Sequence, residues 1–138
     1  MKIGFDAKRI FHNTSGLGNY SRDLVRALQE YYPVNSYLLY YPKPGKVNRL
    51  KLSGNMKEVF PGGEPYKRFP ALWRRGPVVK QLIKDKVDIF HGLSNELPAG
   101  IGKSGIPSVV TIHDLIFLRY PEWYSLPDRI IHTLKVKQ

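Results

Sequence analysis

The chain has 138 residues, 42% hydrophobic and 24% charged, the composition of one globular domain long enough to bury a core. It contains no cysteine, which excludes a disulfide framework, a thiolate metal site and a cysteine nucleophile. A formal net charge of +11 points to an anionic partner: nucleic acid, anionic lipid or a phosphorylated substrate.

"KIGFDAKRI" (2–10) predicts a first strand, with apolar Ile3 and Phe5 and then polar residues as it leaves the sheet. Asp6, Lys8 and Arg9 interrupt the apolar stretch that a secretory leader would need. No run approaches the roughly 18 apolar residues of a membrane span, so a cytoplasmic location is expected, at most peripheral to a membrane. "NTSGLGNYSR" (13–22) follows, with Gly16 and Gly18 between the strand and a helix. Leu17, Tyr20, Leu24, Leu28 and Tyr31 recur at spacings of three and four, predicting one buried helical face that ends before Pro33. "SYLLYY" (36–41) predicts a strand, 43–55 a basic loop, and "MKEVF" (56–60) a short strand closed by "PGG". A second helix is predicted from Pro77, burying Val78, Val79, Leu82 and Ile83 while Lys80, Gln81, Lys84 and Asp85 face water. "VDIFHG" (87–92) and "SVVTIHD" (108–114) predict two short buried strands, the second ending in His113 and Asp114. Ser125 and Asp128 stand at capping-box spacing before a final helix with Ile130, Ile131 and Leu134 on one face. Strands alternating with helices, some apolar throughout, argue for an α/β fold with a parallel sheet covered on both faces.

The positive charge is concentrated. Residues 43–86 hold twelve basic residues against Glu58, Glu64 and Asp85. "YKRFPALWRR" (66–75) interleaves aromatics with cations, which suits a bilayer interface and equally single-stranded nucleic acid.

In parallel sheets the ligand crevice lies beyond the carboxyl ends of the strands. Three polar groups are predicted there: the Gly16–Gly18 loop, His91 with Ser94 and Asn95, and His113 with Asp114. The glycine loop is no dinucleotide fingerprint, since position 21 is Ser, no acidic residue follows at the usual distance, and a P-loop lysine is missing. It remains a simple anion site, with free amides at a helix N-terminus. His12 and His132 are assigned to surface or packing, and no spacing suggests a metal site or a nucleophile with its base.

"IGFDAKRI", "SGLGNYSRDLVRAL", "VDIFHGLSNELP" and "VVTIHDLIFLRYPEWY" resemble, in order and spacing, the N-terminal domain of family 4 retaining glycosyltransferases. That resemblance implies a Rossmann-like three-layer domain, the acceptor-side half of the two-domain GT-B fold. It also implies a transfer of sugar from a nucleoside diphosphate to an acceptor with retained configuration and without a metal or other cofactor. Gly16, Leu17, Gly18 and Asn19 would offer backbone amides to the donor diphosphate. Relatives in that family often carry Arg at the position of Asn19, so here the anion contacts fall to amides alone. His113 would lie beside the transferred sugar, and Asp114 would hold the turn or touch substrate. His91, Ser94 and Asn95 would line the cleft towards a glycan or lipid-linked acceptor. The resemblance further implies that residues 1–138 are a shortened N-terminal domain, inactive alone, and that a nucleotide-sugar-binding domain with a Glu-x7-Glu motif lies outside them. Two other readings stand beside it: a non-catalytic basic module on nucleic acid or anionic membrane, and a nucleotide-sugar epimerase of the same architecture. The nucleic-acid reading explains the charge of 43–86 but not "TIHD" and "GLGNYS" at one sheet edge.

Overall fold

The computed structural model describes residues 1–45 and 47–136. Strands β1 (Lys2–Asp6), β2 (Ser36–Tyr40), β3 (Met56–Val59), β4 (Ile89–Gly92) and β5 (Ser108–Val110) form one five-stranded sheet in the order β3-β2-β1-β4-β5. Every neighbouring pair is parallel, so all carboxyl ends share one edge. Alternate side chains of β2 point to opposite faces and seed two cores. Tyr37, Leu39 and Tyr41 pack with Phe5, Ile10, Phe11 and Val25 under helices α1 (Lys8–His12) and α2 (Gly16–Tyr31). Leu38 and Tyr40 pack with Phe90, Trp73, Val78 and Leu82 under α3 (Pro70–Arg75) and α4 (Val78–Lys84). The fold is therefore α/β, a Rossmann-like three-layer domain. Helices α5 (Ile116–Arg119) and α6 (Leu126–Val136) follow β5. Ser125 caps α6 at the predicted spacing, its Oγ 2.6 Å from Asp128 Oδ2. Of that helix's predicted apolar face only the Ile130 side chain is among those described, and it is exposed; the side chains of Ile131, Leu134 and His132 lie outside the description. Among the described residues no helix is long and apolar enough to cross a membrane.

Five details depart from the sequence expectations. The first strand stops at Asp6 instead of running to Ile10, because Asp6 Oδ1 accepts the Lys8 amide at 3.2 Å and turns the chain into α1, where Ile10 and Phe11 become buried. Helix α3 is an unpredicted element, held by Pro70 in its first turn and by buried Trp73. On α4, Ile83 is exposed.

The buried face of α2 is rotated from the predicted stripe. Gly18, Ser21, Arg22 and Val25 are buried, Leu24 and Leu28 pack against the core, and Tyr20 and Tyr31 are exposed. The rotation follows from Arg22, which is 2% exposed and donates through Nη1 to the carbonyls of Ile10 and Asn13, both at 2.8 Å. A cation thus closes the carbonyl end of α1, where the chain's partial negative charge collects. Finally, β5 is shorter than the predicted 108–114 and is not buried. It covers Ser108–Val110, and Val109 and Val110 are exposed because β5 is the sheet's outer strand.

Candidate functional site

The strand order reverses between β1 and β4, which makes their carboxyl ends the place where such a sheet opens a crevice. On one side of that opening lies the start of α2. Asn13 Oδ1 accepts the amides of Ser15 (2.8 Å) and Gly18 (3.2 Å) and the Ser15 hydroxyl (2.7 Å), so Asn13, two residues before the N-cap Ser15, secures the start of the helix. The amides of Gly18 and Asn19 both also reach Ser15 O at 3.0 Å. The amides of Gly16 and Leu17 have no acceptor among the described residues. Two of the four amides assigned to an anion are therefore open, and two are engaged within the loop.

The two glycines serve different ends. A Cβ at Gly18 would stand 2.2 Å from the Asn13 carbonyl oxygen, so glycine is required there by packing. A Cβ at Gly16 would meet nothing within 4 Å, so the fold places no demand on that position. The Asn19 side chain accepts from Arg22 Nη2 at 2.6 Å and faces the protein's own guanidinium.

On the other side, the chain after β4 and the chain after β5 are tied together. Asn95, in the left-handed region at φ 56°, donates its amide to Thr111 O and accepts the His113 amide on Oδ1, both at 2.9 Å. Asparagine tolerates that backbone better than most residues. The His113 ring places Nε2 2.9 Å from the Leu93 carbonyl. A carbonyl can only accept, so Nε2 carries a proton, and in the neutral ring Nδ1 keeps a lone pair. The Tyr20 ring meets the His113 ring edge-on at 5.0 Å, and the Tyr20 hydroxyl lies 3.3 Å from Thr111 Oγ1. Thr111 Oγ1 is also 2.8 Å from His91 Nε2. Burial lowers the His91 pKa and favours its neutral ring. Asp114 is exposed and its Oδ1 accepts the Ile116 amide at 3.2 Å, which holds the turn; Ser94 is half-buried in the loop after β4.

Between these halves sits a buried charge cluster that sequence reasoning did not single out. Arg74 of α3 bridges Asp6, at the end of β1, and Glu96, in the loop after β4. Burial raises the Asp6 pKa; the Arg74 charge and the Lys8 amide oppose that rise, and the nearby Glu96 charge adds to it. Thr111 was also passed over, although its place two residues before His113 at a strand end was a usable signal. Arg74 carried none, because it stands in a run of cations whose other members face water. Among the described residues no three of His, Asp or Glu converge as metal ligands would.

No protein-family model, no curated protein and no solved structure matches the chain.

Proposed function

We propose that the chain forms the acceptor-side half of the cleft of a retaining glycosyltransferase of family 4, acting with a nucleotide-binding domain on a nucleoside diphosphate sugar. The observation that supports this most is the continuity of the two polar groups. Tyr20, on the helix that begins with the open Gly16 and Leu17 amides, touches both His113 and Thr111.

In this reading the donor diphosphate rests on the Gly16 and Leu17 amides at the positive end of α2. The bond between the anomeric carbon and the phosphate oxygen breaks, and negative charge grows on the departing diphosphate. Fixed amide dipoles stabilise that charge without reorganising. The acceptor oxygen bonds to the same carbon on the same face, and its proton passes to the departing phosphate oxygen. His113 Nδ1, held by its partner at Leu93, accepts a hydrogen bond from a hydroxyl of the transferred sugar. His91 and Ser94 line the acceptor side, while Asn95 and Asp114 hold the loops in place. The basic surface of 43–86 meets a glycan or lipid-linked acceptor at the cytoplasmic face of an anionic membrane.

The test uses the two glycines' different roles. UDP-glucose or GDP-mannose at low-millimolar levels is expected to show broadened phosphorus NMR resonances with the native chain. Gly16→Val, which the open space at that position accommodates, is expected to abolish the broadening without changing the circular dichroism. Equal broadening by the variant, or none with either protein, overturns the reading.

A further inference from the structure

A second cavity, of about 650 Å³, lies beyond the carboxyl ends of β1 and β2, with His12 in its lining and neither His91 nor His113. That volume is in the usual range for a small-molecule site. Its rim is cationic: Lys8 follows β1, Lys43 follows β2, Arg68 precedes α3 and Arg75 ends it. The nearby carboxylates of Asp6 and Glu96 both face Arg74, and their charges also reach Lys8. No acidic residue lines the cavity. Its floor and outer wall are apolar, built by Pro42, Phe69, Pro70 and Leu72, and Phe69 and Leu72 are each more than half exposed. Arg68 lies over the Phe69 ring at 5.8 Å, which joins the cationic and apolar parts into one surface. The Asp6–Arg74–Glu96 bridge ties α3, which carries this wall, to the end of β1 and the loop after β4.

We propose that this cavity binds a phosphate ester carrying a hydrocarbon chain, with the phosphate on Lys8, Lys43, Arg68 and Arg75 and the chain against Phe69 and Leu72. A free anion would leave the apolar wall in water, and an uncharged chain would leave the cationic rim unmatched; one amphiphilic anion answers both. Burial, with the charges of Arg74 and Arg9, lowers the Lys8 pKa against the opposing charges of Glu96 and Asp6, and a bound anion would favour its charged form. The proposal names the acceptor class of the transferase reading and rests on that reading only for the use of the bound molecule.

The test is calorimetry and amide NMR on the native chain with hexyl, octyl and decyl phosphate, each below its micelle concentration. Inorganic phosphate and the uncharged decyl maltoside serve as controls. Decyl phosphate is expected to shift the amides of Lys43, Ala71, Leu72 and Arg75, with affinity rising by up to about fourfold per added methylene. Arg68→Gln combined with Arg75→Gln, both exposed and outside the core, is expected to weaken binding about tenfold or more. Inorganic phosphate binding as tightly as decyl phosphate, or decyl maltoside binding as tightly, would overturn the proposal. So would affinity that ignores chain length, or shifts confined to Gly16 and His113. If alkyl phosphates fail while UDP-glucose still engages Gly16, the cavity assignment falls and the transferase reading stands. The opposite pattern removes the transferase reading alone.

Discussion

Arg74→Met removes the one cation that separates two carboxylates in the centre of the cleft edge. In the native chain the Asp6 side chain is 6% exposed and that of Glu96 20%, so neither is well placed to recover its lost partner from water. Breaking a buried pair by removing one member costs about 3–5 kcal/mol. Against a total stability of about 5–15 kcal/mol for a domain of this kind, that is a large share, or a fall in melting temperature of about 10–20 °C. The dependence on pH supplies the sharper check. Without Arg74 the Asp6 carboxyl loses the charge that opposes its upward shift, so its folded pKa rises further above the ordinary 3.8. A raised carboxyl stabilises the fold at low pH and loses that contribution as pH rises through the window above 3.8. The gap between variant and native chain should therefore be widest at neutral pH and narrow by about pH 4.5. Asp6→Asn in the Arg74→Met background should restore half or more of the loss. Urea unfolding followed by circular dichroism at both pH values measures all three proteins. A loss under about 1 kcal/mol at neutral pH, or one that does not shrink on acidification, would mean that water already solvates the cluster.

Four further outcomes follow from the same geometry. Gly18→Ala drives a methyl into the Asn13 carbonyl and should cost about 1–3 kcal/mol, whereas Gly16→Ala should be neutral or slightly stabilising, measured by thermal melts. Asn13→Ala removes the acceptor for three hydrogen bonds at the start of α2 and should cost about 1–2 kcal/mol in the same assay. Because burial depresses the His91 pKa below its ordinary 6.5, the folded state binds fewer protons than the unfolded one; stability should fall as pH drops below 6.5, and His91→Gln should flatten that slope. Gly92→Ala would bring a methyl to 2.3 Å from the Glu96 carbonyl, so it should displace the loop carrying Asn95 and shift the His113 amide in NMR spectra.

The sheet was legible because its central strands are short apolar runs. "SYLLYY" buries both faces and "VDIF" buries Val87 and Phe90 with Ile89 half-buried, and parallel strands covered by helices read in that way. The helices were less legible where a cation is buried. Periodicity assigns Arg22 to water, yet it lies in the core because two carbonyls at the end of α1 need donors, and α1 was itself unread. Helix α3 hid in the basic block for a related reason. Its one buried aromatic, Trp73, gives no periodicity over six residues, and its fixed cation, Arg74, looks like its neighbours. "SVVTIHD" shows the limit of the apolar-run argument: composition reports that a strand is suited to burial, while position in the sheet decides whether it is covered. The histidines and Asn95 were placed at the right edge by the strand ends that precede them. Their pairing through Leu93 and Thr111 depends on contacts across about twenty residues, which no local pattern encodes.

The central claim is that the start of α2 and the His113 cluster form one surface for a sugar nucleotide. Amide NMR of the native chain, titrated separately with UDP-glucose, GDP-mannose and a short single-stranded oligonucleotide, tests it most directly. Concerted shifts of Gly16, Leu17 and His113 with a sugar nucleotide are the expected result. Shifts with the oligonucleotide alone, confined to 43–86, would contradict it and leave the basic block as the functional surface.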